Sequence, residues 1–391
     1  MKIKLLQILV KFIFVLILID LTEANNTKWF GNLRYRALQD KNTNEGTWSS
    51  VSEMRSRLGF LIELENLSSS FILQESKTIG DEANFSGVTA RPPSPFLYEV
   101  SFKVKELLGY DLVQFGRFEL ALGNQRIISK NNWNNVGRAF EGFLLTEKLF
   151  KNIYLKGFSL GINEQNNQYH DDRKDSWLNG IYLSSKIIQL KKSSYELYFI
   201  DFRDSLKTNA YATIGGRIDA NLNSFNVESE YAIQTGKHIS SASLLSLNFS
   251  FNPNNVSFLN QITIGFDHIS GDNNETENLE GFSKYFGARH KFHGFYDYKE
   301  HKSFMGHDHS GLAELNIKTR LNFLFKSKLL ISIHNFKSGI NDKSHGNEID
   351  FIIKRSLSEY LTFESGFIFY KPTEDDNLLP FSYLALTANF K

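Results

Sequence analysis

The segment 312–325 reads Leu-Ala-Glu-Leu-Asn-Ile-Lys-Thr-Arg-Leu-Asn-Phe-Leu-Phe. Leu315, Ile317, Thr319, Leu321, Phe323 and Phe325 fall on one parity; Glu314, Asn316, Lys318, Arg320 and Asn322 fall on the other. Side chains alternate faces with period two along a strand, so the segment predicts a strand with one apolar and one charged face. A soluble sandwich strand sustains such alternation over about five residues. Here it runs longer and recurs down the chain to its last residues. Strands of about ten residues, apolar outside and polar inside, are what a transmembrane β-barrel requires.

The same pattern predicts strands near 28–38, 53–65, 69–77, 97–107, 112–122, 138–148, 153–163, 177–188 and 194–203. It continues near 210–221, 225–236, 241–251, 257–268, 311–325, 328–338, 347–355, 360–370 and 381–390. Eighteen strands is an even number, as single-chain bacterial barrels have. The connections alternate in length as well. Those at 66–68, 108–111, 149–152, 222–224 and 326–327 are short, whereas 39–52, 78–96, 123–137, 164–176 and 269–310 are long. Short turns on the periplasmic side and long loops outside fit that rhythm. The terminal strand places Leu384, Leu386, Ala388 and Phe390 on one face and ends in an aromatic followed by Lys391. Such an ending resembles the signal read by the outer-membrane barrel assembly machinery.

Residues 1–24 read as a secretory signal peptide: Lys2 and Lys4, an apolar run from Leu5 to Ile19, then Thr22-Glu23-Ala24 before the break. The expected organisation is therefore a signal peptide (1–24) and one barrel domain (25–391). No later stretch approaches a helical span, so membrane insertion must be as a barrel. The leader holds three of the 44 basic and two of the 43 acidic residues, which leaves the remainder balanced. A nucleic-acid partner, which needs a clustered basic excess, is not expected. Cysteine is absent, which removes disulfides, thiol nucleophiles and thiolate metal sites.

An eighteen-stranded barrel encloses a wide lumen, and the polar parity is expected to line it. A charge facing lipid at mid-membrane costs about 2–4 kcal/mol, which assigns the charged parity to the interior. That parity contains Asn32, Arg34, Arg36, Arg55, Arg57, Arg117, Glu119, Arg217, Asp219, Glu228, Glu230, Lys318, Arg320, Asp350 and Lys354. Mixed ladders of arginine and carboxylate hold a barrel round, and collectively they select ions and orient a charged solute. His290, His293, His301, His307 and His309 crowd one expected outer loop with Asp297 and Asp308. The run 306–310, Gly-His-Asp-His-Ser, has donors a transition metal can use, but its spacing matches no strict template and no metal or cofactor is assigned. Gly-x-Ser-x-Gly, P-loop and His-Glu-x-x-His templates are missing, so the chain reads as non-enzymatic.

Four stretches together resemble the alginate export family of Gram-negative outer-membrane porins. They are Phe-Gly-Arg-Phe-Glu-Leu-Ala-Leu-Gly-Asn-Gln-Arg at 115–126 with Trp-Asn-Asn-Val-Gly-Arg-Ala-Phe-Glu-Gly at 133–142; Gly-Arg-Ile-Asp at 216–219 with 228–236; Gly-Phe-Asp-His-Ile-Ser-Gly-Asp at 265–272; and Gly-Asn-Glu-Ile-Asp at 346–350. The resemblance implies an eighteen-stranded barrel, in agreement with the strand count, and an arginine-lined pore passing an acidic polysaccharide or oligosaccharide. It matches Arg117, Arg126, Arg138 and Arg217 to the family's arginines, and Glu119, Glu141, Asp219 and Glu230 to its acids. Phe140 and Leu144 share the parity of Arg138 and are expected to face lipid. The expected partners are outer-membrane lipid, the acidic saccharide and the assembly machinery. A general small-solute porin remains an alternative, with a barrel-embedded hydrolase or a surface adhesin behind it.

Overall fold

A computed structural model describes residues 26–41, 47–80, 95–163, 176–187, 190, 192–204, 210–254, 256–273, 275–284, 286–296, 304–341, 343–373 and 377–390. The expected signal peptide lies outside the described residues, as do Asp297 and His301.

The strands are β1 (Thr27–Lys41), β2 (Trp48–Glu63), β3 (Leu67–Gly80), β4 (Phe96–Leu107), β5 (Tyr110–Phe118), β6 (Phe140–Phe150), β7 (Ile153–Asn163), β8 (Ser176–Lys186) and β9 (Ser194–Asp204). They continue as β10 (Tyr211–Leu222), β11 (Phe225–Gly236), β12 (Ile239–Phe251), β13 (Leu259–Ile269), β14 (Leu312–Phe323), β15 (Ser327–Lys337), β16 (Ser344–Ser356), β17 (Leu361–Pro372) and β18 (Leu379–Phe390). Each pairs antiparallel with its sequence neighbour, and β1 pairs with both β2 and β18. The sheet therefore closes on itself and leaves no edge, the condition for strands in hydrocarbon.

The alternation holds where it was clearest. On β14, Leu315 and Ile317 are about half exposed on the outer face, while Glu314 and Asn316 are buried inside. Phe325, read as the end of that strand, instead sits in the 324–326 turn with φ of 57°. On the outer face a row of aromatics crosses adjacent strands from Trp29 through Phe60, Phe71 and Phe102 to Phe115. Successive ring centroids are 5.2, 4.8, 6.2 and 5.4 Å apart. These rings keep a large apolar payload against lipid, as the girdle of a membrane barrel does.

The interior differs from the expectation of a water-filled lumen lined by strands alone. β5, expected to reach residue 122, ends at Phe118, and the chain turns inward with Leu120, Leu122 and Ile128 fully buried. The described residues of the 270–311 connection (270–273, 275–284, 286–296 and 304–311) also fold in, burying Phe282, Phe286, Phe292, Tyr296 and Met305. An apolar cluster forms between these segments and inward residues of the wall, among them Phe336, Ile368 and Tyr370. Phe140 and Leu144 belong to it, with the Phe140 ring 6.1 Å from that of Phe286. Their expected lipid-facing position is corrected: an apolar parity can face inward wherever an inserted segment offers an apolar partner.

Ile317 lies at the middle of β14 on the outward face, so Ile317→Arg is expected to cost about 2–4 kcal/mol. Urea unfolding of the liposome-inserted barrel measures this, with Ile317→Leu as the neutral control.

Candidate functional site

Two inward segments, 119–139 and 270–311, are held in the lumen by three sets of charged groups on the wall. The first set is a row of arginines on β1 and β2. Arg34 donates to the carbonyls of Asn132 (2.7 Å) and Asn134 (3.1 Å), and Arg36 to that of Trp133 (2.9 Å). Arg57 donates to Glu119 (3.1 Å) and stacks over Tyr98, whose hydroxyl also donates to Glu119 (2.8 Å). The chain can lie this close to the wall because Gly137 has φ of 81° and no side chain; a Cβ there would sit 2.8 Å from both Arg57 Nη2 and Tyr98 Oη.

The second set centres on Arg126, which is 1% exposed. Its guanidinium lies 2.8 Å from Asp267 on β13, 3.7 Å from Glu230 on β11, and over the ring of Phe292 at 3.9 Å. Glu230 also accepts from the Tyr198 hydroxyl (2.9 Å). Beside it, Arg217 on β10 bridges Glu196 (2.8 Å), Asp219 (2.7 Å) and Glu228 (3.4 Å).

The third set is a buried chain of titratable groups. Lys284 Nζ is 2.7 Å from His293 Nε2, and His293 Nδ1 is 2.5 Å from Glu314 Oε2 on β14. Glu314 Oε1 is 2.6 Å from His334 Nδ1 on β15, and His334 Nε2 is 3.4 Å from Asp350 on β16. Glu348 accepts the backbone N–H groups of Phe295 (2.5 Å) and Tyr296 (3.0 Å). Gly294, with φ of 77°, permits that approach: a Cβ would lie 2.6 Å from the Glu348 carboxyl carbon. The two segments also bind each other. Ser129 N–H donates to Phe286 (2.9 Å), Ala288 N–H to Gln125 (2.9 Å), Arg138 to Ser129 (3.2 Å) and to Phe286, and Trp133 stacks on His290 at 3.8 Å.

Most of the sequence-assigned residues lie inside. Glu119, Arg126, Asp219, Glu228, Glu230 and Arg217 join these networks; Lys318 donates to the Phe292 carbonyl (2.8 Å), and Arg320 to Gln261. Arg138 clamps the two segments rather than lining a strand. Arg117 and Glu141 are corrected. They are cross-strand partners 2.9 Å apart on the same parity as the exposed Phe115 and Phe143, which places the pair on the outer face. Each lies one residue from the end of its strand, where the cost of a lipid-facing charge falls to about 0–1 kcal/mol. The sequence reading did not find the Lys284–His293–Glu314–His334 chain; its visible parts were the inward parity of Glu314 and the place of His293 in the loop's histidine cluster.

Asp267, His293 and Glu314 bring ligand-type atoms within 4.8 Å of one another. Arg126, Lys284 and His334 already occupy those atoms, so the cluster acts as an ion-pair network. The 306–310 run does not converge on a common point: His309 turns to Asp308 (2.5 Å), and His307 to Gln234 (3.1 Å).

Burial, reinforced by Arg126, pushes the Lys284 ammonium down to about 7. Burial, then Lys284, lowers His293 to about 4. Burial opposes the charge on Arg126, yet Asp267 and Glu230 outweigh it and hold the guanidinium charged. His293 is thus neutral near pH 7, with Nδ1 donating to Glu314 and Nε2 accepting from Lys284.

The family described as alginate export matches residues 98–306, just over half of the chain. No curated protein matches it in sequence. Among solved structures it is similar to OccAB4 of Acinetobacter baumannii, at 13% identity and TM-score 0.66, covering 94% of this chain and 99% of that one. OccK9 (OpdG) of Pseudomonas aeruginosa follows at 12% and 0.65, covering 93% and 98%. A BenF-like porin from Pseudomonas fluorescens Pf-5 gives 12% and 0.64, covering 94% and 99%. Identities this low establish a shared barrel fold. Together these matches and the closed eighteen-stranded sheet place the protein in the outer membrane.

His293 binds fewer protons when docked than when free, so its contribution to docking of the segment that carries it is full above pH 6.5, its unperturbed value, and is lost as pH falls toward about 4. Planar-bilayer recordings are expected to show more frequent conductance fluctuations across that window, and His293→Gln is expected to flatten the pH dependence.

Proposed function

Since the chain belongs to the alginate export family, we propose that its barrel passes an anionic polysaccharide or oligosaccharide through the lumen. The observation that carries this reading is a strip of cations on the inner face of β14 to β16. Lys318 and Arg320 share the inward parity of Glu314, Lys328 that of Ser332 and His334, and Lys354 that of Asp350. Lys328 and Lys354 are direct cross-strand partners. Beside these four, Glu364 pairs with Lys354 at 3.1 Å, while Asp350 is taken by Ser332 and His334. The acids of β9 to β11, Glu196, Asp219 and Glu228, are already bound to Arg217. The strip lies toward the short-turn end of the barrel, below the inserted segments.

A low-dielectric wall carrying one sign of charge focuses the field and concentrates solutes of the opposite sign. The strip would draw successive carboxylates of an acidic chain. Arg126 and Arg217 are neutralised by their own carboxylates and act as struts. Arg117 and Glu141, on the outer face, take no part.

A small-solute porin is the second reading, favoured by the two inserted segments, which narrow the lumen.

A tetrauronate added to single channels in a planar bilayer is expected to interrupt the current, and a neutral tetrasaccharide of equal length is not. The triple variant Lys318→Gln, Arg320→Gln, Lys328→Gln should lower the blocking on-rate about tenfold. Equal block by both sugars would favour the small-solute reading.

A further inference from the structure

Arg34 on β1 and Arg55 on β2 are direct cross-strand partners facing the lumen, 8% and 6% exposed. Like charges placed directly opposite destabilise a strand pair, and a buried charge needs a counter-charge. Their neighbours have one: Arg36 pairs with Glu53, and Arg57 with Glu119. Among the described residues Arg34 and Arg55 meet no carboxylate. Their guanidinium groups instead share two carbonyl oxygens of the inward segment. Arg34 donates to Asn132 O at 2.7 Å and Asn134 O at 3.1 Å; Arg55 donates to the same atoms at 3.3 and 3.4 Å. Two oxygens shared between two forks is the arrangement one carboxylate would adopt there. The Nε of each arginine is buried without a hydrogen-bond partner.

The covering strap, 131–136, reads Asn-Asn-Trp-Asn-Asn-Val and has no charged side chain. Its other ties to the wall include Arg36, which donates to Trp133 O at 2.9 Å and lies over the Trp133 ring at 4.3 Å, and neutral bonds: Val136 O accepts from Gln74 at 2.8 Å, Asn135 O from Ser76 at 2.9 Å, and Asn135 Nδ2 donates to Lys77 O at 3.2 Å.

We propose that Arg34 and Arg55 form a binding site for the carboxylate of an acidic saccharide, kept closed by the strap, whose carbonyl oxygens stand in for the carboxylate. This rests on the reading of the solute as an acidic saccharide. A carboxylate would supply the counter-charge that a neutral carbonyl lacks, and the idle Nε donors offer it further bonds. The arriving anion therefore displaces the strap and opens that side of the lumen, so that the solute admits itself. A neutral sugar has nothing with which to compete.

The chain has no cysteine, so Asn134→Cys provides a single thiol on the strap while retaining the backbone carbonyl. The readout is its alkylation rate by a small polar maleimide in the solubilised, folded barrel. A tetrauronate is expected to raise the rate about tenfold, the effect of a population shift of that size. A neutral tetrasaccharide, and acetate or inorganic phosphate at matched charge concentration, should leave it within about twofold. In the Arg34→Met, Arg55→Met background the acceleration should vanish. If that variant fails to migrate as a folded barrel, Arg55→Lys, which lacks Nε and the fork, should show a reduced acceleration. An unchanged rate with tetrauronate, in protein whose current the same tetrauronate still blocks, overturns the site and leaves the proposed function standing. Equal acceleration by acetate or phosphate overturns its assignment to a saccharide. Undiminished acceleration in the arginine variants overturns the site.

Discussion

Arg126 is a fully buried guanidinium in the middle of a membrane barrel, and the arrangement of the lumen follows from the need to neutralise it. Asp267 lies 2.8 Å away on β13 and Glu230 3.7 Å away on β11, so one side chain from the 119–139 segment ties two strands of the wall. Phe292, from the other inserted segment, closes the remaining face at 3.9 Å. A buried charge of this kind holds only while its partners stay in place, because removing one partner leaves the other uncompensated. Both segments are thereby committed to the interior, and the 270–311 segment brings Lys284 and His293 to Glu314 as a consequence.

The pinned segments divide the lumen by the state of its charges. On the β9 to β13 side, cations and acids satisfy one another through Arg217 and Arg126, which leaves a rigid wall with little pull on a solute. On β14 to β16 and on β1 to β2 the cations exceed their acids. Lys318 donates to a carbonyl oxygen and Arg320 to an amide oxygen, and Arg34 and Arg55 make do with carbonyl oxygens. A channel that must pass an anionic chain without trapping it benefits from both kinds of wall. Unneutralised cations attract the chain, and pre-paired ones keep the barrel's shape.

Much of the barrel was legible because lipid enforces period two: an outward charge at mid-membrane is costly, so the alternation survives in the sequence. The eighteen strands and the inward placement of Glu314, Lys318 and Arg217 follow from that rule. It failed where its premise lapses. Arg117 shares parity with Phe115, and Glu141 with Phe143, so the pattern itself placed both outside. Reading every charge as lumenal overrode that signal near the strand ends, where an outward charge costs little. The inserted segments were illegible for a different reason. Docking of 119–139 and 270–311 depends on contacts between residues more than a hundred apart, such as Arg126 with Asp267, and no local period records them. Phe140 and Leu144 show the result, since their apolar parity fits lipid and an inserted apolar cluster equally well.

The dependence of the lumen on Arg126 is tested most directly by the single-channel conductance of Arg126→Met in planar bilayers. This change keeps most of the side-chain volume but strands Asp267 and Glu230 without their cation. The account predicts a folded barrel whose conductance is higher and noisier than that of the unaltered protein, because the 119–139 segment no longer stays pinned to the wall. A folded Arg126→Met barrel with unchanged conductance and no added noise would contradict it.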